Sequence, residues 1–400
     1  MIKMTAEQKA LLDLLGHNLF SAEPKISPDV DYEQVIKESM AQAVFSVAFN
    51  DYRSLPLSDE LSARVKKALM KHALSNAECF KNHNYLHDLL TKRGIKYCVL
   101  KGAASALYYP DMMLRSMGDV DFYVAPDQFD AAYELMKSEG FEPGDTTHES
   151  HIALSKGKKH FEIHFKPVGY HGGRLGDIYL DAWKGIIDDS VLNNTEVTSF
   201  VGPSAFHHGF ILLTHLHSHL VSAGVGLRHL IDWGVFADSF SDAEFRAIFE
   251  AKLRSYGIWR LAQLLSLAAV RHMGMEHRPW MGDDYETADA LLEDILCGGN
   301  FGRKDKQRGY EGLLIADNSR NVSSNKLKNA FTSLNRIVEK HWGCVKKLPI
   351  LYPVGWIVFS LRFLFRVLTG KRKMNIVTAY KNSGSRAELY DSLRLFVPEE

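Results

Sequence analysis

Apolar residues recur at three- and four-residue spacing across residues 5–94, through Leu11, Leu12, Leu14 and Leu15 and again through Val35, Met40, Val44 and Val47. That period matches the turn of an α-helix and predicts a helical opening to the chain. A longer run from a Ser58 cap through Val65, Leu69, Leu74, Phe80 and Leu86 to Leu90 stops at Gly94, a residue suited to the turn that ends a helix. The period then changes. Residues 95–100 (IKYCVL) are rich in β-branched and aromatic side chains, and residues 119–124 (DVDFYV) alternate at every second position, so both predict strands. Residues 101–118 between them read as a turn, a short helix and a loop. Pro126, at a first helical position, opens a helix carrying Phe129, Ala132, Leu135 and Met136 that stops at Gly140. Residues 151–154 and 160–165 (HFEIHF) read as strands joined by a hairpin over Ser155-Lys156-Gly157-Lys158. Helical periodicity returns from Ser204, and residues 298–328 form a polar, glycine-bearing connection. The expected class is α+β (mixed α/β). A helical region over 1–94 precedes a sheet core over 95–203, a helical domain over 204–297 and a C-terminal loop and helical region over 298–400.

With 400 residues and ~150 residues per domain, two or three packed units are expected. Apolar residues make up 46% of the chain and charged ones 24%, which excludes a mainly disordered or fibrous protein. Lys plus Arg and Asp plus Glu each number 48. The zero formal charge supplies no global basic field, so composition gives no nucleic-acid signature. Cys79, Cys98, Cys297 and Cys344 are far apart and form no CxxC pair, so neither a disulfide framework nor a cysteine zinc site is expected and a reducing cytoplasmic setting fits. The polar, helix-periodic N-terminus does not read as a secretory signal.

The chemistry concentrates in residues 100–124, LKGAASALYYPDMMLRSMGDVDFYV. Side chains two apart on a strand share a face, so Asp119 and Asp121 point one way while Val120 and Phe122 pack the other. Two crowded carboxylates repel unless a cation neutralises them, and paired hard oxygen ligands suit Mg²⁺ that also touches substrate phosphates. Gly102 permits close backbone approach at a strand-to-helix turn, where phosphate could bind, with Lys101 and Arg115 adding positive charge. Downstream, alternation in FEIHF places Glu162 and His164 together, opposite Phe161, Ile163 and Phe165. Three acids holding one or two Mg²⁺ ions can align an attacking group with a nucleoside triphosphate, which is the requirement of nucleotidyl transfer.

These residues resemble a family. Gly102 followed by the Asp119-x-Asp121 strand looks like the polymerase-β-type nucleotidyltransferase superfamily, and LKG…YP…R…GDVDFYV with FEIHF resembles its uncharacterised bacterial nucleotidyltransferase family. The match covers about residues 95–166, and GLRHLIDW (226–233) extends a weaker likeness to roughly residue 240. The resemblance implies a mixed-sheet catalytic core, a helical domain completing the cleft, and Asp119, Asp121 and Glu162 as Mg²⁺ ligands, with Mn²⁺ as an alternative. Gly102 would be the phosphate-turn glycine. Ala103 stands where the superfamily usually has serine, leaving Ser105 as the substitute hydroxyl, and Glu162 replaces the commoner aspartate. The expected partners are a nucleoside triphosphate and an unidentified hydroxyl or phosphate acceptor. Ala103 motivates one alternative, a catalytically weak nucleotide-binding or regulatory module; toxin-like modification of RNA or protein is another.

Further residues fit cleft or structural roles. His215 and His219 are four apart and share a helix face, but no HExxH glutamate or evident third ligand supports zinc, so packing or substrate contact is expected. Arg228 and Asp232 are also four apart, the spacing of a helix ion pair that could line the cleft. His164 could orient Glu162 or be a buried polar partner. The Gly298–Gly302 run lacks the strand-turn-helix context of a nucleotide fingerprint and reads as a loop. In residues 348–373, Pro349, Pro353, Arg362 and Arg366 interrupt an apolar tract and oppose a spanning helix. Trp356, Phe359 and Phe363 beside Arg362, Arg366, Lys371, Arg372 and Lys373 leave two options: packing on the protein, or peripheral contact with the inner membrane surface.

Overall fold

The computed structural model describes residues 3–398 apart from 147, 149, 171–172, 306–307, 309–310, 312–325 and 370–375. Part of the polar connection and the basic triplet Lys371, Arg372 and Lys373 lie outside the described residues.

Thr5 and Gln8 form a reciprocal cap that starts α1 (Ala6–Phe20). Asp31 caps α2 (Tyr32–Ala41), the short α3 (Phe45–Ala48) follows, and Ser58 caps the 34-residue α4 (Asp59–Lys92). Gly94, at φ +66°, turns the chain out of α4. The central region contains β1 (Tyr97–Val99), α5 (Ala103–Ala106), β2 (Val120–Val124), α6 (Phe129–Ser138), β3 (Glu142–Pro143), β4 (His151–Lys156) and β5 (Lys159–His164). Pro126 sits before α6, not in it: Gln128 N–H closes a turn on the Ala125 carbonyl, and the helix begins at Phe129. The β4–β5 connection is two residues, Gly157 and Lys158, with positive φ at Gly157 alone among them, the pattern of a type II′ turn.

The sheet order is β1-β2-β5-β4-β3, with β2 and β5 parallel and the other pairs antiparallel. Beneath it, Phe80, Leu86 and Leu90 of α4 pack with Val99, Phe122, Phe161, Ile163 and Met136 in one apolar core. Each fully buried ring such as Phe122 contributes roughly 1.5–3 kcal/mol. After α7 (Gly173–Ala182), the hairpin β6 (Val191–Asn194) to β7 (Ser199–Gly202) adds Phe200 to this core; the apolar pattern did not single it out.

The chain then becomes helical: α8 (Ala205–Leu220), α9 (Leu227–Asp238), α10 (Asp242–Phe245), a π turn over Arg246–Glu250, α11 (Ala251–Tyr256), α12 (Trp259–Met273) and α13 (Tyr285–Gly298). These share a second core with α1 and α2, centred on Trp233, Trp259, Phe236 and Phe245. Gly16 lets α1 approach the end of α12 so closely that an added Cβ would lie 2.2 Å from the Met273 carbonyl oxygen.

Near the C-terminus, the helix Tyr352–Leu368 packs on Lys326–His341 through Gly355 against Val338, with Trp356 Nε1 donating to Asn335 Oδ1 at 2.7 Å. Another part of its surface is uncovered: Val354, Ile357, Leu361 and Phe365 are exposed at the spacing of one helix face, as is Ile350 in the turn just before it. Among the described residues, no helix is long and apolar enough to cross a membrane.

Candidate active site

The alternation in the two key strands positions the acids. Val120 and Phe122 of β2 and Phe161 and Ile163 of β5 are buried in the sheet core, so the intervening Asp121 and Glu162 face the other side. The parallel register sets Asp121 directly beside Glu162. Asp119, immediately before β2, is exposed in the same cleft, and one carboxylate oxygen from each of the three acids lies within 4.8 Å of the others. Residues more than forty positions apart thus meet at one point.

Their repulsion is offset within the protein. Asp121 is 2% exposed, and its Oδ1 takes the Lys101 ammonium and the His164 Nε2, each at 3.2 Å. Burial alone would raise the Asp121 pKa, but Lys101 and His164 outweigh it and hold the carboxyl below its ordinary range. His164 responds in the opposite sense: burial disfavours its charge, yet Asp121 and Glu162 together raise its pKa. Burial, and then the Asp121 charge, raise Glu162 despite the His164 contact. His151, opposite His164 across the β4–β5 ladder, brings Nε2 to 3.6 Å from Glu162 Oε1. Burial and the neighbouring imidazoles push His151 down to about 4.

Gly102 explains how Lys101 reaches this point. Leu100 N–H still bonds the Asp121 carbonyl at 2.9 Å, after which the chain turns through Gly102 at φ +70° and ψ −112°. An L side chain there would be strained.

Three expectations change. Arg115 is not among the residues lining the cleft that holds the acids: it is 5% exposed and grips Asp232 with two 2.8 Å bonds, from Nε to Oδ1 and from Nη2 to Oδ2. Tyr109 also donates to Asp232 Oδ1, at 2.6 Å. Arg228 and Asp232 therefore make no ion pair with each other among the described residues; the helix-spacing rule loses to a partner 117 positions away. Ser105 is 1% exposed, its hydroxyl is buried without a hydrogen bond, and it is not among the residues lining the cleft.

A cleft of about 790 Å³ holds the acids. Its sheet side supplies Lys101, Asp119, Asp121, Glu162 and His164, while the helical side supplies His215, His219, Arg228, Asn300 and Phe301. The Arg228 Nε is buried without a hydrogen bond, and its guanidinium lies 5.5 Å over the Phe301 ring. Burial, then Arg115, lower the Arg228 pKa, so an anion would be welcome beside it. A second hollow, about 1050 Å³, lies between α4 and the β4–β5 hairpin and is also bordered by Asp119 and Glu162. The acids therefore stand where two hollows adjoin.

Sequence reasoning passed over His151, His229, Asn300 and Phe301. His151 was accessible through strand alternation once β4 is paired with β5. Phe301 had no such signal, since it enters the cleft only because the Gly298–Gly302 loop holds it at φ +55°.

The fold and the acid cluster define a nucleotidyltransferase-type protein, and comparison with protein families bears this out. Residues 28–274, more than half of the chain, match the family described as uncharacterised nucleotidyltransferase. The chain belongs to that family, within the polymerase-β-like superfamily. No curated protein matches it.

Proposed function

We propose that the protein is a Mg²⁺-dependent nucleotidyltransferase that moves a nucleoside monophosphate from a triphosphate to a hydroxyl or phosphate acceptor. The observation that carries this reading is the convergence of Asp119, Asp121 and Glu162 in one cleft. Three carboxylates offer hard oxygen ligands of the kind Mg²⁺ prefers, with Mn²⁺ an acceptable substitute. When bound, the ion would neutralise phosphate charge and favour in-line displacement. The chain's own residues do the rest. Arg228 binds phosphate oxygens through a guanidinium whose buried Nε has no hydrogen bond, and Lys101 and His164 keep Asp121 ionised. A carboxylate of the cluster orients the acceptor and takes its proton as the new oxygen–phosphorus bond forms at the α-phosphate and the α–β bond breaks, releasing pyrophosphate. The adjoining hollows give nucleotide and acceptor separate approaches to the acids.

A catalytically weak nucleotide-binding module is the second reading, favoured by Ala103 and the buried Ser105 hydroxyl, which leave the phosphate turn without a serine contact. The two separate on one experiment: incubation with Mg²⁺, each α-labelled triphosphate and a cell extract. Label transferred to an acceptor supports the enzyme, whereas saturable nucleotide binding with no transfer supports the weak module.

For its location, we propose a cytoplasmic protein that attaches reversibly to an anionic membrane surface. The exposed stripe Ile350, Val354, Ile357, Leu361 and Phe365, near exposed Arg362 and Arg366, supports it.

A further inference from the structure

The helical side of the cleft holds a cluster that the nucleotidyl-transfer reading does not use. His215 and His219 lie one turn apart on α8, and α9 brings His229 against them. Their ring centroids are 4.6 Å apart for His215 and His219, 5.4 Å for His215 and His229, and 5.6 Å for His219 and His229. One ring nitrogen from each lies within 4.8 Å of the other two. We propose that His215, His219 and His229 form a second metal site, selective for a zinc-like transition-metal dication and separate from the carboxylate cluster.

The geometry can be checked against coordination chemistry. Zn–N bonds of ~2.0–2.1 Å at tetrahedral angles separate imidazole centroids by roughly 5.2 Å, close to all three distances. His215 Nε2 and His219 Nε2 face each other across 3.0 Å, so both nitrogens already point at one place that a metal ion could take. Two histidines at i and i+4 on a helix are a recurrent zinc-binding arrangement. The third ligand is the residue that sequence spacing could not supply.

His229 is 5% exposed, and neither ring nitrogen makes a hydrogen bond of good geometry, the Gly226 carbonyl offering only a weak polar contact. A buried polar ring left in this state is costly. Coordination would satisfy it. Phe301 covers the group, 4.6 Å from the His219 ring and 5.6 Å from that of His229. Three nitrogens leave a fourth position for water or a substrate oxygen. Arg228 and Lys101 add positive charge nearby, which favours an anionic fourth ligand, while the all-nitrogen donor set disfavours a hard dication.

This site does not depend on nucleotidyl transfer, and its test does not measure activity. The full-length protein is titrated with Co²⁺ in excess Mg²⁺, and the intense visible absorption of four-coordinate cobalt is recorded. The same titration is made on Glu162→Gln, which removes a ligand of the carboxylate cluster, and on His219→Ala and His229→Asn, with circular dichroism to check folding. Loss of a partner that only orients a ligand changes metal affinity ~10–100-fold, so loss of a ligand itself should weaken cobalt binding by at least about 100-fold. The expected result is a signal retained by Glu162→Gln and lost in folded His219→Ala, which tests the site even if His229→Asn does not fold. A wild-type protein without the four-coordinate signal, a signal retained by His219→Ala, or one that requires Glu162 overturns the proposal.

Discussion

Arg115→Met should destabilise the protein far more than removal of any surface ion pair. Arg115 and Asp232 have side chains only 6% and 5% exposed and are joined by paired 2.8 Å bonds. Two unit charges ~4 Å apart at an effective dielectric of ~20 attract by about 4 kcal/mol. Removing the arginine leaves Asp232 buried with only Tyr109 bonded to it, and such uncompensated burial costs ~3–5 kcal/mol. Arg64 and Glu33 provide the control: their 2.6 Å contact is tighter, but the side chains are 54% and 49% exposed, so Arg64→Met should cost ~0–1 kcal/mol. Urea unfolding of both variants, with Asp232→Leu and the Arg115→Met/Asp232→Leu double variant, reads the difference. The double variant should recover much of the loss because no unpaired charge remains. Equal small losses for Arg115→Met and Arg64→Met, or no recovery in the double variant, would mean that the buried Arg115–Asp232 pair is not what holds the two elements together.

Burial holds His83 down to about 4 and His208 to about 3. The unfolded chain therefore takes up their protons first as pH falls below ~6.5, and stability is lost in that direction, by about 2 kcal/mol per histidine at pH 5. His208 stacks on Tyr108 and packs at a tilt against Phe236 with both nitrogens unpartnered, so His208→Phe should remove that share of the loss between pH 7 and 5; an unchanged pH slope in urea melts contradicts it. His164 acts oppositely, its contribution being present below ~6.5 and lost as pH rises through its raised folded value. Gly102→Ala should cost ~1–3 kcal/mol from its positive φ and reduce transfer further by displacing Lys101; wild-type stability and rate together would show that the turn tolerates a side chain. The folded chain should co-sediment with anionic vesicles, less so at high salt and less for Ile357→Asp/Leu361→Asp, and absence of binding by the intact protein would remove the membrane proposal.

The acid cluster was legible because strand alternation is a short-range rule. DVDFYV and FEIHF each divide into a core face and a cleft face, and the structure puts the two cleft faces side by side. Helix spacing served less well. It correctly placed His215 beside His219 but also suggested a pair between Arg228 and Asp232, which buried Arg115 and Tyr109 pre-empt. Contacts of that kind depend on how β2 and its preceding loop dock against α9, and no local pattern encodes the choice. The expected repulsion between Asp119 and Asp121 was incomplete for the same reason, because Lys101 and His164 become counter-ions only once the sheet forms. The apolar tract at 348–368 gave a third kind of ambiguity: its composition suited packing and adsorption alike, and the structure uses Gly355 and Trp356 for packing while leaving Ile357 and Leu361 uncovered.

Metal-dependent transfer by the three acids should appear as pyrophosphate release in the presence of Mg²⁺, nucleoside triphosphates and the fractionated extract that supplies the acceptor. Wild-type protein should release pyrophosphate in step with labelling of the acceptor, and chelation should stop both. Asp121→Asn, verified as folded, should lose transfer by several orders of magnitude, since it removes a ligand charge at the point where Mg²⁺ would bind. Release that persists at the wild-type rate in folded Asp121→Asn would contradict the account.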